Sequence, residues 1–268
     1  MALRLADVSR LGMTGMRSRP GRTVLTALGI AIGIAALVSV VGISYSSRAD
    51  LLAELDKLGT NLLQVRPGQD VFGEDAVLPE EAPDMVRRIG PVEQAAAVAQ
   101  VSAAVRRSDW ISQLETGAIT VVSAELDLLD TLGASVRKGR WLEEDLSHTP
   151  TVVLGATAAR RLGITSLGGS PLVWIADQWF AVVGILDPVP LLESLDASAF
   201  VGGAAAETLL DWDGQVSTIY VRTPPSSVDD VRDVLGATVN PLAPNEVDVS
   251  RPTDALEARS AVDRELTA

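Results

Sequence analysis

Cysteine is absent from this 268-residue chain. That excludes a disulfide framework, a thiol nucleophile and any cysteine-ligated zinc or iron–sulfur centre. The single histidine, His148, excludes a histidine-cluster metal site, and its polar setting between Ser147 and Thr149-Pro150 reads as surface loop. Aromatic residues make up only 4%, so the core has to be aliphatic and rich in alanine. The five tryptophans (Trp110, Trp141, Trp174, Trp179 and Trp212) are scattered. They read as core or rim packing, with any exposed one a marker of a partner or ligand surface. Catalytic signatures are missing too. No G-x-x-x-x-G-K-[ST] occurs, so the chain hydrolyses no ATP through a P-loop, and there is no G-x-S-x-G elbow. Acidic clusters stand at Glu80, Glu81 and Asp84, at Glu143, Glu144 and Asp145, and at Asp229 and Asp230. Each fits a helix start or a solvated loop, because paired catalytic carboxylates need apolar walls to split their pKa values. No catalytic, metal, cofactor or substrate residue is therefore assigned, and no cofactor is expected.

What is present is an asymmetry of charge. Residues 1–22 hold five arginines (Arg4, Arg10, Arg17, Arg19, Arg22) against one acid, Asp7. The other 246 residues carry 17 bases and 34 acids. A basic leader on an acidic body does not suit nucleic acid, which needs its basic surface on the folded domain. It suits a chain whose two ends face different solvents.

Residues 23–47 supply the reason. They run for 25 residues without a charge, and eleven of those between Val24 and Ile43 are Leu, Ile or Val. As a helix this stretch is about 37 Å long, enough to cross a hydrocarbon core of about 30 Å with some tilt. Arg17, Arg19 and Arg22 precede it, so the positive-inside rule puts the N-terminus in the cytoplasm and the body outside. Tyr45 then falls at the outer interface. The rival reading is a cleaved signal peptide, but the apolar run is long for one and Ser44-Tyr45-Ser46 is a poor cleavage site. Within the run Gly29 and Gly33 form G-x-x-x-G, with Ala36 a turn on, a small-residue face against which another helix can pack. In the leader, Leu5, Val8, Leu11 and Met16 recur at helical spacing. They describe either a short amphipathic helix on the inner leaflet or a disordered basic flank.

The remainder reads as mixed α and β. Residues 48–60 continue as a stalk helix ended by Gly59. Strands are expected at 61–65, 96–107, 116–123, 151–154, 198–201, 216–222 and 246–250, with a loop over 69–78. A hairpin is expected from 171–175 and 179–186 about Ala176-Asp177-Gln178. Short helices are expected at 79–89, 125–132, 156–162 and 204–210. Another starts with Ser227 and Asp230 in the manner of a capping box and ends at Gly236. A last helix begins at Thr253.

Several stretches together resemble the permease of MacB-type ABC transporters. They are Arg19-Pro20-Gly21-Arg22-Thr23 running on through Gly29 and Gly33 to Ala35, then Leu58-Gly59-Thr60-Asn61-Leu62-Leu63-Gln64-Val65-Arg66-Pro67-Gly68, and Gly139-Arg140-Trp141-Leu142. Val152-Val153-Leu154-Gly155 and Phe180-Ala181-Val182-Val183-Gly184-Ile185-Leu186 also fit. The resemblance implies an α+β architecture of one N-terminal transmembrane helix followed by a two-part extracytoplasmic domain. The segments are a cytoplasmic leader (1–22), the span (23–47), the stalk (48–60), a porter-like part (61–124 and 216–250), an inserted strand-rich part (125–215) and a returning helix cut short (251–268). It further implies the lipid membrane, a second permease copy and a separate ABC ATPase subunit as partners. ATP-driven motion would be transmitted to the outer domain as mechanotransmission in efflux. Three more spans are implied beyond residue 268, so the chain reads as a fragment, a split gene product or a natural short form. The competing reading is a membrane-anchored binding or sensor module without transport. Ala35→Arg is expected to cost about 2.5–3.5 kcal/mol of insertion. Undiminished membrane integration of that variant in a fractionation assay would contradict the span.

Overall fold

The computed structural model describes residues 21, 24–25, 28–39, 61–69, 73–74, 76–112, 117–144, 148–189 and 192–253. The chain divides into two units, 1–55 and 56–268. In the first, residues 28–39 are helical. Leu28, Ile30, Ile32, Ile34, Leu37 and Val38 on it are all more than half exposed. Among the described residues no helix is long and apolar enough to cross a membrane. The rest of the expected span, most of the leader with Arg17, Arg19 and Arg22, the stalk over 48–60 and the last helix beyond 253 lie outside the described residues.

The second unit is built on a mixed sheet of ten strands: β1 (Leu62–Pro67), β2 (Gln94–Arg106), β3 (Thr120–Ala124), β4 (Val136–Gly139), β5 (Thr151–Leu154), β6 (Leu172–Ile175), β7 (Gln178–Leu186), β8 (Ser198–Gly202), β9 (Thr218–Arg222) and β10 (Val247–Ser250). Their order is β10-β1-β9-β2-β3-β8-β5-β7-β4, with β6 bridging β2 and β7. The pairs β3–β8 and β5–β7 are parallel, and the others are antiparallel. Six helices cover it: α1 (Ala82–Arg87), α2 (Leu128–Leu132), α3 (Ala156–Arg161), α4 (Glu193–Asp196), α5 (Gly203–Leu210) and α6 (Val228–Val239).

Alternation along the strands divides the buried side chains into layers. On β2, Ala95 and Ala97 point to a core with Val86 of α1 and Val231, Leu235 and Val239 of α6. Val101 and Val105 lie in a second core with Val121, Val201, Ala158 of α3 and Ala206 and Leu210 of α5. Ala96 and Val98 point the other way, towards Val122, Phe200, Tyr220 and the leucines of α2 and α4. An irregularity between Val101 and Ala104 bends β2, so that its last residues, Val105 and Arg106, pair with β6 instead of β3.

The structure departs from the sequence reading at named places. β4 was not expected: its residues, Val136-Arg137-Lys138-Gly139, have no apolar alternation because it is an edge strand whose side chains are largely exposed. The helix α6 runs through Gly236 to Val239, because Leu235 and Val239 are both buried and continue the apolar period past the glycine. Ser227 occupies the N-cap of α6 but makes no side-chain cap hydrogen bond, since it belongs to a 3-10 turn over Pro225–Ser227. The β6–β7 hairpin turns on two residues, Ala176 and Asp177, both with positive φ. Trp110 neither packs in the core nor at its rim, being 92% exposed.

The Gly139-Arg140-Trp141-Leu142 stretch now has a physical reason. β4 lies so close to β7 that a Cβ on Gly184 would come within 2.2 Å of the Arg140 carbonyl oxygen. Trp141 then donates from its indole Nε1 to the Leu126 carbonyl at 2.8 Å and meets Phe200 edge-on at 5.5 Å. Leu142 is buried beside them. Gly184→Ala is expected to destabilise the domain by about 1–3 kcal/mol through forced separation of the two strands. An unaltered midpoint in chemical denaturation would refute this close approach.

Candidate functional site

The sheet face that carries α1, α3, α5 and α6 is not covered without a break. α1 and α6 cover β1, β9 and the start of β2, while α3 and α5 cover β3, β5, β8 and the end of β2. Between the two covers lie Ala97 and Ala99 of β2 and Ser123 of β3. Ala99 and Ser123 are direct cross-strand partners. Small side chains there leave a crevice of about 350 Å³ floored by these residues. Its far side is the turn from β8 into α5, Gly202-Gly203, at the carboxyl ends of the parallel pair β3–β8. Open mixed sheets commonly take their ligands at that kind of position.

One wall is Trp212, in the loop after α5. Its indole Nε1 donates to the Gln215 carbonyl at 3.1 Å, which fixes the ring. The rim carries Glu125, Glu144 and His148, and among the described residues neither lysine nor arginine lines the crevice. A second crevice of about 380 Å³ shares Trp212 and Val216 with the first and is edged by Asp211 and Asp213, again without a basic residue. Ser123 is only 3% exposed. Its Oγ lies 3.8 Å from the place a Cβ on Gly203 would occupy, so it is directed at the crevice. None of the described residues hydrogen-bonds it. A serine with no base beside it is not an activated nucleophile, and no group of metal-ligating side chains gathers among the described residues. The arrangement can hold a ligand.

Glu125 anchors the crevice to the first helical cover. Its Oε2 accepts the Ala97 amide at 2.8 Å and pairs with Arg87 of α1. Arg87 also reaches the Ala95 carbonyl at 3.2 Å and Asp84 at 2.9 Å. Partial burial works against its charge, but Glu125 and Asp84 outweigh that and hold the guanidinium pKa above its ordinary value. This carboxylate thus ties the end of β3 to α1 and to β2 at once.

The residues singled out in the sequence fall in several places. Gly29, Gly33 and Ala36 lie on the helix of the first unit, and the two glycines face open space. Glu144 and His148 are exposed, as expected of loop residues, and both line the crevice. Glu143 pairs with Arg140 at 3.0 Å and Asp229 pairs with Arg251. Trp174 and Trp179 form an edge-to-face pair at 4.9 Å across the β6–β7 hairpin. Arg106, 6% exposed, donates to the Ile111 carbonyl at 2.7 Å and so holds the turn that carries Trp110. Ala97, Ala99, Ser123 and Trp212 were not anticipated as site residues. The available signal was the alanine-rich run Gln94-Ala95-Ala96-Ala97-Val98-Ala99, because a central strand ordinarily favours larger β-branched residues.

The described residues form a mixed α+β domain on one large sheet with a crevice in one face. The comparisons give its family. The family described as MacB-like periplasmic core domain matches residues 23–238, and the chain belongs to it. The macrolide export ATP-binding/permease protein MacB of Sodalis glossinidius is 28% identical over 63% of this chain and 26% of that protein. Its Escherichia coli counterpart is 27% identical over 68% of this chain and 28% of that protein. The chain thus spans little more than a quarter of the length of these curated relatives. The periplasmic region of MacB from Actinobacillus actinomycetemcomitans superposes with a TM-score of 0.55 at 12% identity, covering 79% of this chain and 98% of that one. The extracellular domain of the noncanonic ABC-type transporter YknZ from Gram-positive bacteria gives 0.55 at 18% identity, covering 71% and 100%. Both likenesses establish a shared fold.

Removal of the Glu125 carboxylate leaves the buried Ala97 amide without this acceptor. Glu125→Ala is expected to cost about 1–3 kcal/mol, read as a lower denaturation midpoint. A midpoint equal to that of the parent protein would show that this link carries no stability.

Proposed function

We propose that this chain is the permease part of a MacB-like ABC transporter. Its outer domain stands on a membrane stalk and transmits ATP-driven motion received from a separate ATPase subunit. The observation that carries this reading is the family match, which begins at residue 23, where the charge-free apolar run begins, and continues to residue 238 through the sheet domain. The match therefore takes in the run and the domain together. Five arginines before the run and a strongly acidic body after it support a cytoplasmic N-terminus and an extracytoplasmic domain in the inner or plasma membrane. The chain itself supplies no ATPase, and the relatives' name, ATP-binding/permease protein, is consistent with an ATPase partner joined to or separate from the permease. A second permease copy completes the proposed assembly. Nucleic acid is no partner, because the folded body is acidic.

The absence of native cysteine makes the test clean. Single-cysteine variants Ser18→Cys and Leu242→Cys place one thiol in the leader and one on the outer domain, where Leu242 is 98% exposed. A membrane-impermeant maleimide is expected to label Leu242→Cys in intact cells and Ser18→Cys only after lysis. The tagged full chain, solubilised in mild detergent, is expected to bring down a P-loop ATPase identifiable by mass spectrometry. Reversed labelling would overturn the orientation. Correct labelling with no ATPase recovered would overturn the transport role.

A further inference from the structure

We propose that the crevice between the two helical covers binds a small amphipathic ammonium ion, one with a flat apolar body and a single positively charged head that also donates hydrogen bonds. The floor dictates the apolar body. Ala97, Ala99 and Gly203 present little but methyl groups and backbone, and the fixed indole of Trp212 supplies a flat wall. A planar group lying between them removes apolar surface from water, and an ammonium beside the indole gains further from its π face.

The charge follows from what surrounds that space. Glu125 and Glu144 stand on the rim, and Asp211 and Asp213 edge the adjoining crevice. Arg87 engages Glu125 from outside the lining, and no lysine or arginine among the described residues lines the crevice itself. Arg87 offsets the charge of Glu125, and the acids that remain, Glu144 on the rim and Asp211 and Asp213 beside it, favour an ammonium over a carboxylate.

The hydrogen-bonding group follows from Ser123. It is 3% exposed, its hydroxyl has no partner among the described residues, and it is directed at the crevice. Its oxygen is not sealed off but opens on the crevice, so a ligand atom that bonds it takes the place of water there and gains orientation. Size sets the last limit. About 350 Å³ is at the low end of pockets that take drug-sized ligands, so bulky macrocycles do not fit whole.

The probe is 3-phenylpropylammonium, with 3-phenylpropanol and 3-phenylpropionate as its neutral and anionic analogues. The full chain is held in nanodiscs of zwitterionic lipid, and empty nanodiscs correct for partition. Titration calorimetry, without nucleotide or ATPase, is expected to give one saturable site for the ammonium with a dissociation constant of about 0.1–1 mM. The alcohol should bind about tenfold more weakly, and the propionate should give no signal. Gly203→Leu fills the crevice from a backbone position that tolerates a side chain; it should abolish binding while keeping the thermal midpoint. Ser123→Ala should weaken binding about three- to tenfold. Glu144→Gln, at an exposed position, should reduce the preference for the ammonium over the alcohol. Propionate binding as tightly as the ammonium would overturn the proposal. So would a Glu144→Gln variant with an undiminished preference, a result available even if Gly203→Leu does not fold. Because binding is read without the ATPase, failure here leaves the permease reading standing, and the reverse holds.

Discussion

The parallel pairing of β3 with β8 is the constraint from which the rest of the outer domain follows. Thr120 to Ala124 run in register beside Ser198 to Gly202, and every residue of β8 is buried. On its other side β3 bonds β2, which carries the strands under α1 and α6. This pairing makes one continuous sheet of the strands from 61–124 and 216–250 and those from 125–215. A parallel pair cannot be closed by a tight turn, and the intervening chain supplies β4 to β7 with their helices. Parallelism also makes both strands release the chain at the same end of the sheet, at Glu125 and at Gly203. That is where the crevice opens.

The crevice has an energetic signature. A sheet face between two helical layers is ordinarily filled to the density of an organic crystal. At Ala97, Ala99 and Ser123 larger aliphatic side chains would bury more surface, at about 0.8 kcal/mol for each further CH₂. Stability of that order is forgone at adjacent positions on two strands. Departures from local packing rules gather at functional places, and this one coincides with a fixed indole and an unpartnered hydroxyl.

How much of this was legible in the sequence depended on whether the signal was local. β5 was read with its observed bounds because Thr151–Leu154 is flanked by turn residues and buried on both faces, which gives an uninterrupted apolar run. The helices α3 and α5 were read to within a residue, since glycines or polar residues mark their ends. β4 was invisible because an edge strand of charged residues has no period to detect, and its place is set by contact with β7. The end of α6 was misplaced because Gly236 was given the weight of a stop signal, while the burial of Leu235 and Val239 decided the matter. The crevice was not legible at all. Its floor joins Ala99 to Ser123 and its far side is Gly203, so it exists only through long-range pairing. Glu144 and His148 were correctly read as exposed, but nothing in their neighbourhood showed that both line a crevice.

This division between scaffold and crevice also explains what the family likeness rests on. The stretches that carry it in the outer domain are those in which β4 and β7 approach at Gly139 and Gly184, Trp141 closes over Phe200, and β5 passes into α3. Those residues fix backbone separations that no neighbouring adjustment can restore. None of them lines the crevice, whose residues come from 97–99, 123–126, 144, 148, 202–204, 212 and 216. A shared fold at 12% and 18% identity is what such an arrangement allows. Close-packed positions hold the sheet in shape, while part of the crevice lining, Glu144, His148 and Trp212, lies on loops outside the strands. The chemistry of the crevice therefore has to be read from this chain's own side chains, and cannot be carried over from a relative's name.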